Sequence, residues 1–163
     1  MNQKIHYKTS SASYDDILNH LWFCDENHNP KLSTRLDMAD YAKKLFEKSV
    51  TFEAWSESDL IGLIAAYLDD EKQGFISNVS ISGEHMKKGI AKTLIQHCIN
   101  TAISKRISAL SLEVSHDNNT AISLYKNLGF ENTGEQKTGV KNLSQTTPSI
   151  TMVLNLEGQP CHE

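Results

Sequence analysis

The stretch Leu110-Ser111-Leu112-Glu113-Val114-Ser115-His116-Asp117-Asn118-Asn119-Thr120-Ala121-Ile122-Ser123-Leu124-Tyr125-Lys126-Asn127-Leu128-Gly129-Phe130 changes its hydrophobic rhythm half-way. Leu110, Leu112 and Val114 alternate with polar residues at the period of a strand, whereas Ala121, Leu124, Tyr125 and Leu128 return at helical spacing. The pattern predicts a strand over 109–115 and a helix over 119–128 that stops at Gly129, a residue suited to the left-handed end of a helix. Asn118 stands at the helix start, where its side-chain oxygen can accept from the first-turn amides.

Upstream, Ile90, Ala91, Leu94, Ile95, Cys98, Ala102 and Ile103 trace one apolar stripe on a helix of about residues 89–105, and Phe75 to Ile81 reads as the strand before it. A strand-helix-strand crossover of this length makes strands 75–81 and 109–115 parallel and right-handed in their connection. Val50–Trp55 and Leu60–Tyr67 form a hairpin across Ser56-Glu57-Ser58-Asp59, and with the 75–81 strand they give an antiparallel meander. The fold class is therefore mixed α/β, a largely antiparallel sheet with one parallel pair. Ser13 with Asp16 makes a capping box before a helix of about residues 13–23. Met38, Ala42, Leu45 and Phe46 mark a second helix beyond the loop Asp25–Pro30. Ile5 and Tyr7 suggest a short opening strand, residues 131–147 read as polar and turn-rich, and 149–156 as a closing strand.

At 163 residues the chain is expected to be one domain, 1–163. Sixteen Lys and Arg against twenty Asp and Glu leave a net charge of -4, so no basic field gathers nucleic acid. No apolar run is long enough to cross a membrane, and the first residues lack a signal core, so no membrane partner is expected. Cys24, Cys98 and Cys161 are too few for a disulfide framework, which makes the cytoplasm the default compartment. Seven scattered histidines lack metal-site spacing and Cys161-His162-Glu163 reads as a frayed end, so no metal is assigned. Exposed edge strands would permit a homodimer.

The segment Ser80-Ile81-Ser82-Gly83-Glu84-His85-Met86-Lys87-Lys88-Gly89-Ile90-Ala91-Lys92 carries a strand into the long helix through a glycine turn. A helix start offers unpaired N–H groups and partial positive charge, and Gly89 and Ala91 leave room for a phosphate. The spacing fits neither a P-loop nor a dinucleotide fingerprint.

Residues 110–130 resemble the second signature of the Gcn5-related N-acetyltransferase (GNAT) superfamily, L-E-V-x-x-x-N-x-x-A-x-x-L-Y-x-x-x-G-F, at every named position. Met86 to Ala91 resembles its first signature, [QR]-x-x-G-x-[GA], with Met86 in place of the usual Gln or Arg. The resemblance covers about residues 50–156 and implies the superfamily's acyl-CoA N-acyltransferase fold, with the parallel strands splayed to hold coenzyme A and helices on both faces. Residues 1–49 are then the acceptor-side helices and 50–156 the cofactor-binding sheet and helices. It further implies that acetyl-CoA is the cosubstrate, its pantetheine on the backbone of Val79, Ser80 and Ile81. The pyrophosphate would lie on Lys87, Lys88, Gly89, Ile90, Ala91 and Lys92, and Asn118 would bond the pantetheine arm as well as cap.

Tyr125 falls at the family's tyrosine, taken to protonate the departing thiolate, against a plain reading as a core aromatic beside Leu124 and Leu128. Glu113 matches the proton acceptor of the bacterial ribosomal-protein alanine acetyltransferases that this segment resembles, against a reading as the structural Glu that the superfamily widely carries at this position. On a largely covered strand its carboxyl is expected to be raised in pKa. His116 and Asn78 could instead orient a water that carries the proton. Trp22, Phe23 and Trp55 could line an acceptor pocket but read first as core, as do Cys24 and Cys98. The implied activity is acetyl transfer to a primary amine, on a small molecule or a peptide, by direct attack in a ternary complex. The alternative is a non-catalytic acyl-CoA-binding regulatory module, to which Met86 and the unsettled base lend support.

Overall fold

The computed structural model describes residues 4–27, 31–137 and 148–158. In chain order these form β1 (Ile5–Thr9), α1 (Tyr14–Cys24), α2 (Met38–Lys48), β2 (Val50–Ser56), β3 (Asp59–Tyr67), β4 (Gly74–Ile81), α3 (Ile90–Ser104), β5 (Ala109–Ser115), α4 (Asn119–Asn127), β6 (Glu131–Lys137) and β7 (Ser149–Asn155). The strands lie in one mixed sheet in the order β1-β2-β3-β4-β5-β7-β6, with β4 and β5 parallel. The element boundaries follow the sequence pattern closely, and β5 ends where the alternation ends. The frayed end at Cys161-His162-Glu163, the stretch 138–147 and the His28–Pro30 part of the loop lie outside the described residues.

Two elements depart from expectation. Residues 131–137, read as turn-rich, form β6, which pairs antiparallel with β7 from Glu131↔Val153 to Lys137↔Ser149. Glu-Asn-Thr-Gly-Glu-Gln-Lys has no apolar alternation, so the ladder with β7 rather than intrinsic preference makes it a strand. The loop after α1 opens with a 3-10 turn, Asp25–Asn27. Asp25 is buried and accepts from Ser33 N–H (3.2 Å) and Ser33 Oγ (2.6 Å), which ties that turn to the next.

The chain clusters into two compact units, the first made of the described residues up to Tyr67 with Asn78–Cys98, the second of Leu68–Ser77 with those from Ile99 on. In the first, Ala12, Ile17, Leu21, Leu32, Met38, Ala42, Leu45, Trp55, Leu63 and Ala65 form a buried apolar cluster. Each large side chain buried in this way stabilises by about 1.5–3 kcal/mol. Ser13 caps α1 through the expected capping box, with Ser13 N–H on Asp16 Oδ2 at 2.9 Å and Asp16 N–H on Ser13 Oγ at 3.1 Å. Trp22 and Phe23, read as core, stand exposed at 53% and 66% because α1 buries Ile17, His20, Leu21 and Cys24 instead. Successive helical residues turn by about 100°, which carries both rings off that stripe.

The deepest charge of this unit is Glu53, whose side chain is fully buried on β2. Its Oε2 accepts from Ser11 N–H (2.9 Å), Ala12 N–H (3.0 Å) and Thr51 Oγ (2.6 Å), and its Oε1 from Trp55 Nε1–H (3.0 Å). A buried carboxylate is tolerated only with its lone pairs occupied, and here four donors do so. They fix the passage from β1 into α1.

In the second unit, Leu110, Leu112 and Val114 of β5 and Ile150 and Met152 of β7 are buried on the even-numbered face, and on the odd-numbered face of β5 Ser111 is buried while Glu113 is exposed. Gly129 follows α4 at φ +103°, a conformation that only glycine adopts without strain, and lets the chain turn into Phe130.

Candidate functional site

β4 pairs with β5 at Gly74↔Leu110, Phe75↔Ser111 and Ile76↔Leu112. Residues 78–81 of the same strand belong with the first unit. There Ser82 N–H donates to Ile61 O of β3 at 2.8 Å. Strand peptide groups alternate in direction, so those of Val79 and Ile81 point to the edge away from β3. Ile81 packs its side chain with Ile90 and Leu94 of α3 around Gly62, where an added Cβ would meet all three within 3.2 Å. A side chain at Gly62 would push α3 off the strand.

The other face of the same segment holds a polar chain that the sequence reading missed. His20 of α1 is buried, with Nδ1 donating to Leu60 O at 3.0 Å and Nε2 lying 2.9 Å from Ser80 Oγ; Ser80 Oγ in turn bonds Asn78 Oδ1 at 2.8 Å. The signal was present: a histidine inside the stripe Ile17, Leu21, Cys24, and two polar residues at alternate positions of a strand, each need a buried partner. Asn78 is therefore held within this chain of bonds.

Between β4 and α3 comes a 3-10 turn, Gly83–His85, absent from the sequence reading and closed by Ser82 Oγ against His85 Nδ1 at 2.7 Å. Then Lys87 adopts φ +62° and Gly89 φ +80°. Left-handed residues interleaved in this way turn successive N–H groups toward one side, the concavity known as an anion nest. Gly89 O accepts the first helical bond, from Thr93 N–H at 3.1 Å, which makes Gly89 the cap of α3. The contrast with the other helices is chemical. Ser13, Asp37 and Asn118 satisfy the starts of α1, α2 and α4 with side-chain oxygens, whereas Gly89 has none to offer. The first amides of α3, at Ile90, Ala91 and Lys92, keep the capacity for an outside anion. Lys87, Lys88, Gly89 and Lys92 are exposed around them, and a Cβ at Gly89 would meet nothing within 4 Å. These residues fit a phosphate. Met86 is exposed at 45%, so its side chain adds no polar contact, but the amide donors do not depend on it.

The second unit carries the other predicted residues. Asn118 caps α4, accepting from Ala121 N–H at 3.2 Å. Tyr125 is buried at 6% exposure, set edge-to-face against Phe130 with ring centroids 6.0 Å apart, and burial pushes its hydroxyl up to about 12. It therefore stays protonated across the neutral range. His116 is exposed, and its Nδ1 faces Pro148 O at 3.1 Å. A carbonyl only accepts, so in the neutral ring Nδ1 carries the hydrogen and Nε2 the lone pair. Glu113 departs from expectation. It is exposed, although Ser111 two residues before it on the same face of β5 is buried, so the strand is not covered as far as Glu113. With Gln73, Phe75, Ser111, Thr133, Thr151 and Val153 it lines an open cavity of about 580 Å³. Trp55 is not a pocket residue: it is buried and spent on Glu53. Cys24 and Cys98 are buried thiols raised by desolvation to about 11 and about 12. No group of three or more His, Cys, Asp and Glu side chains among the described residues is placed to hold a metal ion.

Residues 14–130 match the model of the acetyltransferase (GNAT) family. The chain belongs to that family. It is 30% identical over 129 residues to human N-acetyltransferase 8B, a match that takes in 73% of this chain and 57% of that protein. The matched segments cover between 49% and 61% of the first three curated relatives' own lengths. In fold it is similar to the ribosomal-protein-S18-alanine N-acetyltransferase of Escherichia coli, with a TM-score of 0.76 at 18% identity over 97% of this chain and 100% of that one. The Bacillus subtilis acetyltransferase solved with CoA gives 0.68 at 17% identity over 93% and 99%. The chain thus has the GNAT fold, with a mixed seven-stranded sheet in which β4 and β5 are parallel.

Proposed function

We propose that this chain is an acetyl-CoA-dependent N-acetyltransferase, one catalytic domain that moves an acetyl group to a primary amine by direct attack in a ternary complex. The observation that supports it most is the start of α3, where Lys87 and Gly89 hold left-handed backbone and the cap residue, Gly89, has no side chain to satisfy the first amides. The amides of Gly89, Ile90 and Ala91 with Lys87, Lys88 and Lys92 would hold the pyrophosphate. The peptide groups of Val79 and Ile81 would pair with the pantetheine as an added strand, with Ser80 between them held by His20. Asn118, beyond its cap, would offer its amide to the same arm. Bound there, acetyl-CoA supplies an activated carbonyl and a thiolate leaving group.

The acceptor must lose a proton before it attacks, from about 10.4 for a lysine-like amine or about 8 for an α-amino group. Glu113 stands exposed to take it, and His116 Nε2 is the second acceptor. As the carbon–nitrogen bond forms, the carbon–sulfur bond breaks and charge gathers on sulfur, which takes up the second proton that the nitrogen sheds as it becomes an amide. Tyr125, at about 12, is less acidic than a thiol at about 8.5. Its hydroxyl therefore stabilises the sulfur by donating a hydrogen bond and keeps its own proton. Two buried free thiols suit a reducing cytoplasm, and no helix among the described residues is long and apolar enough to cross a membrane. Calorimetry with coenzyme A and thiol release from acetyl-CoA across a panel of amines and peptides test the reading. Binding with acceptor-dependent release is the expected result. Binding without turnover would leave only a coenzyme-binding module, and no heat at millimolar coenzyme would end the proposal.

A further inference from the structure

Residues 78–81 of β4 are gripped on their two faces by different chemistry. On one face Ile81 packs with Ile90 and Leu94 of α3 around Gly62, through apolar contacts that have no preferred direction. On the other, His20 of α1 reaches two strands at once. Its Nδ1 donates to Leu60 O of β3 at 3.0 Å, and its Nε2 lies 2.9 Å from Ser80 Oγ and 3.3 Å from Ser80 O on β4. Ser80 Oγ in turn bonds Asn78 Oδ1 at 2.8 Å, and all three side chains are buried. The buried stripe of α1 is otherwise Ile17, Leu21 and Cys24, and an imidazole among them costs stability unless its nitrogens are bonded. Hydrogen bonds demand distance and angle together, so this chain fixes where Ser80 stands relative to β3 in a way that apolar packing cannot.

We infer that His20 is a positioning residue for the coenzyme: through Ser80 it holds the peptide groups of Val79 and Ile81 in line for the pantetheine arm. Those peptide groups flank Ser80 and face the edge away from β3, so the placement of Ser80 sets theirs. An added strand draws its affinity from main-chain hydrogen bonds, and a segment ordered in advance spares the ligand the cost of ordering it. The inference rests on the acetyl-transfer reading, which puts pantetheine on this edge, and it adds a residue of α1 to the machinery that binds the coenzyme.

Two ligands separate this role from a general loss of structure. Coenzyme A uses both the strand edge and the start of α3, whereas 3′-phospho-ADP, its nucleotide without pantetheine, uses only the start of α3. By calorimetry Ser80→Ala, which removes one atom of the chain, should weaken coenzyme A about tenfold and leave 3′-phospho-ADP within about twofold. His20→Asn, whose shorter amide keeps a donor near Leu60 O but falls short of Ser80, should show the same loss, and the double variant should be no weaker than either single one. His20→Gln, whose amide reaches the place of Nε2 and can donate or accept, should return coenzyme A to within about threefold of wild type. Unchanged coenzyme A affinity in Ser80→Ala, equal losses for the two ligands, additive losses in the double variant, or a His20→Gln no tighter than His20→Asn would each overturn the inference while leaving acetyl transfer intact. Wild type that binds no coenzyme A would defeat the acetyl-transfer reading itself.

Discussion

Glu53 and Glu113 are the same side chain on two strands, put to opposite ends. Glu53 is fully buried, and both its carboxylate oxygens accept hydrogen bonds, from Ser11, Ala12 and Thr51 on Oε2 and from Trp55 on Oε1. Glu113 is exposed over an open cavity whose other described lining residues are uncharged. The difference teaches that a carboxylate's surroundings, not its identity, decide its work. Saturated with donors and shut from water, it is a joint between elements; exposed on a strand, it stays within reach of solvent and solutes.

The comparison breaks most easily at the buried end. Glu53→Ala leaves four donors without an acceptor, at about 1–3 kcal/mol for each one left unsatisfied, so urea unfolding should show a loss of about 3 kcal/mol or more. A variant that unfolds like wild type would put Glu53 among ordinary surface acids. At the functional end, Tyr125→Phe should lower kcat about 100-fold, worth about 2.7 kcal/mol, with coenzyme affinity unchanged by calorimetry. The same substitution carries a pH signature. Tyr125 is raised from 10.0 to about 12 in the folded chain. Wild type therefore has this group's contribution in full below pH 10 and loses it as pH rises toward about 12, where only the unfolded chain has ionised. The stability gap between wild type and Tyr125→Phe should shift in phenylalanine's favour over that window.

Smaller effects sharpen the contrast. Glu113→Gln should lower kcat/KM about tenfold, about 1.4 kcal/mol, while stability moves by no more than about 0.5 kcal/mol. A large stability loss would make Glu113 a second Glu53. Smallest of all, Cys24 and Cys98, raised to about 11 and about 12, should stay silent to a thiol reagent at pH 8 until the chain unfolds.

The fold was legible because periodicity and turn chemistry are local. The alternation of Leu110, Leu112 and Val114, the stripe from Ile90 to Ile103, and the Ser13–Asp16 box each became the predicted element. β6 was illegible because its residues have no strand preference and only β7 makes it one. The site divided the same way. Gly89 and Asn118 declared their helix starts in the sequence, since a cap is a matter of adjacent residues. Exposure was not declared. Trp22, Phe23 and Glu113 were all read as more covered than they are, because burial depends on which neighbour packs over a face and not on the face itself.

The amino-acid order by itself determined the element sequence, the parallel crossover, the uncapped glycine start of α3 and the family to which the chain belongs, all properties of short windows of sequence. Tertiary structure alone decided that Glu53 is a joint, that His20 reaches Ser80 sixty residues away, and that Glu113 and Thr151 face each other across two strands. Those facts are set by long-range pairing, and no local window carries the distance between residues that only folding brings together.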